Sequence, residues 1–307
     1  SNACKYSPPG RPVTLAWARQ GEWIDIDVRD HGIGVPPQDV PRLFGTFMRA
    51  SNVGDVPGTG LPRGYRLETL ETIDSTNLEA MRRLAQGDKG PLWMRAIAQT
   101  GGRGRNGRGW TSPPGNLYAS LLIPLAAPPA HASELALVTG VAVHRVIAQL
   151  LPHEAATGRL HLKWPNDLLL DAAKLAGILI ETSITSGEPG FTAVIGIGVN
   201  VATHPADVGQ PATNLKVHGI EIEPSELLKR IAGALDLALR VWVKQGFSAF
   251  REEWLERAHR IGVEVGAQTH AGRVSGTFTG LAEDGALMVK SADGTDHRVT
   301  FGDVTIL

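Results

Sequence analysis

Between Gly101 and Trp110 the chain reads Gly-Gly-Arg-Gly-Arg-Asn-Gly-Arg-Gly-Trp, the densest group of chemically capable residues in its 307 positions. Five glycines free the backbone to curl, so that successive N–H groups can face one anion. Three arginines, Arg103, Arg105 and Arg108, add planar forks of permanent positive charge suited to carboxylate or phosphate. The chemistry of such a loop is anion handling. It has neither the Gly-Lys-Ser/Thr ending of a P-loop nor the spacing of a dinucleotide fingerprint. An arginine-glycine tract can also bind RNA loosely. Its place between strand-like stretches at 93–98 and 116–125 favours an embedded cover, one that orders on ligand and keeps a reactive acyl-phosphate from water.

The elements that must hold this loop can be read from hydrophobic period. Asp74 or Ser75 can cap a helix over 77–85, with Gly87 just past its end. The apolar run 116–125 lies between Pro-Pro-Gly and Ala-Pro-Pro and predicts a buried strand. A helix over 133–151 carries Leu135, Val138, Ala142 and Val146 on one face. Strands are expected over 160–163, 174–181 and 191–201, apolar enough for a sheet covered on at least one face by helices. Leu228, Ile231, Leu235 and Leu239 place a helix over 224–245, and another is expected to end near His259. From Ile261 onward, short alternating segments separated by Asp284-Gly285 and Asp293-Gly294 predict tight hairpins and a small β-barrel or sandwich.

Bulk properties narrow the setting. Thirty basic and 31 acidic residues leave a net charge of -1, so no global field attracts nucleic acid or an anionic membrane. The single cysteine, Cys4, excludes an intrachain disulfide or a cysteine-based metal cluster. No apolar run approaches the ~20 residues that span a bilayer. A cytoplasmic protein is expected. The first sixty residues are rich in Gly and Pro, with one alternation through Trp23, Ile24, Ile26 and Val28, and a Gly/Pro cluster at 54–64 reads as a boundary.

Five segments after that boundary resemble the biotin protein ligases, in the family's order. They are Asp74-Ser75-Thr76-Asn77, then Gln99-Thr100 with the loop, Lys163-Trp164-Pro165-Asn166-Asp167, Lys174-Leu175-Ala176-Gly177-Ile178-Leu179-Ile180-Glu181, and Gly196-Ile197-Gly198-Val199-Asn200. The resemblance covers about 65–307. It implies a mixed α/β (α+β) catalytic domain at 65–260, like that of biotin and lipoate ligases and class II tRNA synthetases, and an SH3-like β-barrel at 261–307. It further implies ATP-dependent ligation of biotin to a lysine of a biotin carboxyl carrier protein, through biotinoyl-5'-AMP.

In that reading Ser75, Thr76, Asn77, Gln99, Gly102, Arg103, Gly104, Arg105, Lys174 and Gly177 hold biotin. Arg105, Arg108, Asn166, Lys174 and Asn200 hold the nucleotide, and Arg103, Arg105 and Lys174 carry the catalysis. Mg2+ is expected on the phosphates, with no protein metal site and Asp167 or Asn166 as outer helpers. Homodimers occur in the family, but the residues single out no surface for one. Plainer readings stand beside some of these: Ser75 and Asn77 as helix caps and Lys174 as a strand-end lysine, while Trp110 and Trp164 are read as packing residues rather than adenine contacts and His204 and His218 as surface histidines rather than metal ligands.

Residues 1–61 resemble something else, the ATP-binding domain of sensor histidine kinases. The likeness rests on Asn2, Lys5, Asp30-His31-Gly32-Ile33-Gly34, Leu43-Phe44-Gly45-Thr46-Phe47 and Gly58-Thr59-Gly60-Leu61. That family's phosphoacceptor helices and later ATP-site boxes are missing, which implies an inactive remnant at 1–64. No helix-turn-helix pattern or basic face marks this segment, so repressor activity is not expected. Rival functions are a lipoate ligase or octanoyl transferase, an RNA-binding protein and a histidine kinase.

Overall fold

The structure, a computed structural model, describes residues 12, 14–20, 23–29, 61–151, 158–184, 190–206, 210–269 and 272–306. The chain divides into two units, Ser1–Gly60 and Leu61–Leu307. In the first, β1 (Thr14–Gln20) and β2 (Trp23–Arg29) form an antiparallel hairpin in which Gln20 pairs with Trp23. The histidine-kinase-like positions Asn2, Lys5 and Asp30 lie outside the described residues.

The second unit is built on a seven-stranded sheet of order β3-β4-β5-β9-β8-β7-β6. Its strands are β3 (Arg66–Ile73), β4 (Leu92–Gln99), β5 (Leu117–Leu125), β6 (Leu160–Lys163), β7 (Asp167–Leu170), β8 (Ala173–Ser183) and β9 (Phe191–Val199). β3 and β4 run parallel and are joined through α1 (Thr76–Ala85), and every other neighbour is antiparallel. β3 and β7 have no counterpart in the sequence reading. Arg66-Leu-Glu-Thr-Leu-Glu-Thr-Ile is half-polar because it forms the sheet edge, where one face stays wet.

Three helices cover one face: α2 (Glu134–Ala148), α3 (Pro224–Gln245) and α4 (Ser248–Arg257). Leu135, Val138, Ala142 and Val146 are buried as their spacing requires, and α2 is buried nearly all round because α3 lies over it. α4 ends at Arg257, two residues before His259. On the opposite face α1 lays Ala80 against Leu92, Met94, Leu122 and Val194.

The last segment forms an antiparallel sheet of order β13-β12-β11-β10-β14, from β10 (Glu264–Thr269), β11 (Gly272–Leu281), β12 (Leu287–Lys290), β13 (Asp296–Val299) and β14 (Asp303–Ile306). Gly285 and Gly294 turn with φ of 81° and 87°, the left-handed conformation that the Asp-Gly pairs require. Among the described residues β13 and β14 do not pair, so the expected barrel is an open sheet. It shares the main core: Trp164 Nε1 donates to Gly285 O at 3.0 Å, and Arg251 Nε donates to Leu281 O at 2.8 Å.

Candidate active site

Strand period decides the floor of the site. On β5, Leu117, Ala119, Leu121 and Ile123 enter the α2–α3 core, so Tyr118, Ser120 and Leu122 face the α1 side. On β9, Ala193, Ile195 and Ile197 enter that core and leave Gly196 and Gly198 on the α1 side. Glycine there is a spatial requirement. A Cβ on Gly196 would lie 2.2 Å from Asn77 Oδ1, and one on Gly198 would lie 2.7 Å from the Trp110 indole. Gly177 of β8 meets the same indole, at 3.0 Å from an added Cβ. These glycines open a cavity of about 450 Å³, within the range of small-molecule sites.

Part of the cavity lining is neutral and hydrogen-bonding. Ser75 is the N-cap of α1 but makes no side-chain capping bond, so its hydroxyl is not spent on the helix. Asp74 receives the Ser75 N–H at 2.7 Å, and the Arg82 guanidinium holds the Asp74 carboxyl down to about 2. The Thr76 N–H donates to Gln99 Oε1 at 2.8 Å, and Gln99 Nε2 donates to Ser112 Oγ at 2.9 Å. Asn77 is likewise not a cap: its amide lies in the sheet floor, donating to Glu181 Oε2 at 2.8 Å.

The cations of the lining come mainly from the Gly101–Trp110 loop, which roofs the cavity. Gly102 O accepts the Trp110 N–H at 2.8 Å, Gly104 N donates to Arg108 O at 2.8 Å, and Asn106 turns with φ 57°. The loop thus folds back as a short hairpin over the sheet. Arg103, Gly104, Arg105, Arg108 and Trp110 line the cavity together with Asn166, Lys174, Gly177 and Asn200. Gly102 does not. It seats against the returning strand, where a Cβ would be 2.4 Å from Trp110 O.

Each cation has a carboxylate partner. Arg103 lies 3.6 Å from Glu181, Arg108 donates to Asp303 at 2.8 Å, and Lys174 stands 2.7 Å from Asp167 Oδ1. Arg105 donates to Gly302 O at 3.1 Å, lies 5.0 Å over the Phe301 ring and is 3.8 Å from Asp303. Burial holds Arg105 below the ordinary arginine range. The C-terminal sheet therefore supports the loop from outside the cavity, through a residue pair that no local pattern announces.

Asn166 Nδ2 is committed to Ile178 O at 2.6 Å and Asn200 Nδ2 to Thr213 O at 3.0 Å, so both shape the wall through the backbone. Trp110, set aside as packing in the sequence reading, packs and lines the cavity at once, with Lys174 Nζ 5.5 Å from its ring centroid. Its indole sits on two glycines far from it in the chain, Gly177 and Gly198. Lys163, also outside the sequence-derived site, borders a smaller cavity of about 100 Å³ with Arg108, Asn166, Asp167 and Asp303. Burial pushes its ammonium below the usual lysine range. Trp164 is core. His218 is half-buried rather than a surface residue, bonded to Thr213 Oγ1 at 2.8 Å, while His204 meets Asn214 Nδ2 at 2.7 Å. Among the described residues no three His, Cys, Asp or Glu side chains converge as a metal site.

Comparison with known proteins agrees with this geometry. A family model for the biotin/lipoate A/B protein ligase family matches residues 70–200, and one for the biotin protein ligase C terminal domain matches 261–307. A third, for histidine kinase-, DNA gyrase B- and HSP90-like ATPases, matches 1–75 and so runs into β3 of the seven-stranded sheet. The chain is 36% identical over 232 residues to a biotin--[acetyl-CoA-carboxylase] ligase of Paracoccus denitrificans, across 73% of this chain and 94% of that protein. It is 32% identical over 247 residues to the bifunctional ligase/repressor BirA of Escherichia coli, across 79% and 74%. A solved biotin protein ligase from Aquifex aeolicus, in complex with biotin and ATP, superposes with a TM-score of 0.65 at 26% identity, over 79% of this chain and 98% of that one. By its motifs, its fold and these relatives, the chain belongs to the biotin protein ligase family.

Proposed function

We propose that this chain uses ATP to join biotin to one lysine of a biotin carboxyl carrier protein, through biotinoyl-5'-AMP. The observation that carries the reading is a single cavity lined both by neutral hydrogen-bonding groups and by cations. Hydroxyls and amides in the lining suit the urea ring of biotin, and the cations that share the cavity suit the two anions that must react.

Biotin's carboxylate and the triphosphate repel each other in water. Arg103, Arg105 and Lys174 offset that repulsion, which lets the carboxylate oxygen approach the α-phosphorus and form the mixed anhydride as pyrophosphate leaves. Arg108, Asn166 and the half-buried Lys163 border the annex beside Lys174, where phosphate oxygens would exchange water for fixed cations. The carrier's lysine amine then attacks the anhydride carbonyl, forming the amide and releasing AMP. The roofing hairpin excludes competing water in the interval.

Magnesium would arrive with the nucleotide and screen its phosphates. The described residues offer no ligand set of their own, and Asp167, the carboxylate nearest the cations, is already matched by Lys174. Ligation without transcriptional repression is the reading for the whole chain, supported by the lack of a helix-turn-helix period or basic face in the sequence of 1–64. Those residues are read as an inactive ATPase-like remnant, 65–260 as the catalytic domain and 261–307 as its C-terminal support. A cytoplasmic location accords with the composition, and among the described residues no helix is long and apolar enough to cross a membrane.

The test mixes the protein with biotin, MgATP and an unmodified carrier domain and probes the carrier with streptavidin. Labelling that requires ATP and the carrier lysine is expected, and Arg105→Ala should abolish it. Lipoate binding without biotin binding in calorimetry would overturn the assignment.

A further inference from the structure

Behind Thr76 and Asn77 of the cavity lining runs a chain of hydrogen bonds from Glu181 to Thr76 whose direction is set by chemistry. Glu181 Oε2 lies 2.8 Å from the Asn77 amide, and a carboxylate only accepts, so Asn77 presents its NH2 there. Its Oδ1 is thereby turned to Ser120, whose hydroxyl lies 2.6 Å away and must donate to it. Ser120 has one proton. At 2.7 Å from Thr76 Oγ1 it must then accept, so Thr76 spends its own proton on Ser120. Asn77, Ser120 and Thr76 are all at least nine-tenths buried, so water does not relax this ordering. The outcome is that the Thr76 hydroxyl meets a ligand with lone pairs only. Gln99 Oε1, which accepts the Thr76 backbone N–H at 2.8 Å, lies 3.2 Å from the Thr76 hydroxyl and is a second, longer-range acceptor for the same proton, so the shorter Ser120 contact takes it first and none is left for a ligand.

We infer that Glu181 is a positioning residue which, acting through Asn77 and Ser120, fixes Thr76 as an acceptor and so makes the cavity selective for a ring bearing N–H donors. This rests on the biotin reading above and adds a specificity device to it. A ring atom with a lone pair at the same place would face an unrelieved acceptor, the situation in which a polar site rejects an isostere most strongly. Gly196 is part of the arrangement, because any Cβ there would collide with the Asn77 amide.

The test is calorimetry of the full chain with biotin and with the two cyclic carbamate analogues in which oxygen replaces one or the other urea N–H. The native chain is expected to prefer biotin over at least one carbamate by about a hundredfold or more. In Glu181→Gln the side chain can donate as well as accept, the ordering can reverse, and the preference should fall at least tenfold. Ser120→Ala cuts the chain nearer the ligand with a small change of volume and should have the same effect, even if the Glu181 variant folds poorly. Glu181 also lies 3.6 Å from Arg103, but a loss through that arginine would weaken biotin and carbamate alike and leave their ratio unmoved. A native ratio kept in both variants, with biotin still bound by the native chain, overturns the inference alone. No biotin binding by the native chain overturns the functional reading beneath it.

Discussion

Lys174→Ala should damage stability and activity together, and the two can be separated. Asp167 Oδ1 is sealed from solvent, and the Lys174 ammonium 2.7 Å away is its charge partner, the two side chains being 13% and 15% exposed. Removing one member of a buried pair leaves an uncompensated charge, at a cost of about 3 kcal/mol for a pair with this residual exposure. For a unit the size of Leu61–Leu307 that corresponds to a fall in Tm of roughly 6–12 °C. Loss of a cation at the reacting anions should lower the rate of carrier labelling by about a hundredfold or more. The double variant Lys174→Met with Asp167→Asn removes both charges at nearly constant volume, so Tm should return to within a few degrees of native while labelling stays lost. Thermal denaturation and streptavidin detection read the two quantities. An unchanged Tm in Lys174→Ala would refute the pairing, and near-native labelling by the double variant would refute the catalytic role.

Two further outcomes follow from packing and titration. Gly198→Ala puts a methyl 2.7 Å from the Trp110 indole, and the displacement, at about 1–3 kcal/mol, should weaken biotin binding by about ten- to a hundredfold in calorimetry with little loss of fold. His144 is buried with Nε2 donating to Leu160 O at 3.2 Å and Nδ1 accepting from Arg257 at 3.1 Å, the pattern of a neutral ring. Burial, and then Arg257, push it down to about 4. The unfolded chain takes up this proton first, near pH 6.5, so stability is full above that value. It should decline by about 3 kcal/mol between pH 6.5 and 4. Urea denaturation across that range should show the slope in the native chain and a shallower one in His144→Leu.

Residue types and local periods were enough to mark out the arginine- and glycine-rich loop, the helix that starts at Ser75, Thr76 and Asn77, the apolar strands and the Asp-Gly hairpins. Each is written in neighbouring residues, where spacing and charge report directly on backbone conformation and chemistry. What only the tertiary structure decided lies between residues far apart in the chain. Asp303 reaches Arg108 across 195 positions, and Glu181 orients Asn77 across 104. Trp110 finds its place only because β8 and β9 bring Gly177 and Gly198 side by side. Edge strand β3 was illegible because exposure on one side erases the apolar signal, and the sequence left a capping role open for the Ser75 and Asn77 side chains because Ser and Asn are common helix caps, a role neither side chain takes in the fold. A one-dimensional pattern states which groups can make a hydrogen bond or carry a charge, and closure of the sheet selects which of them meet.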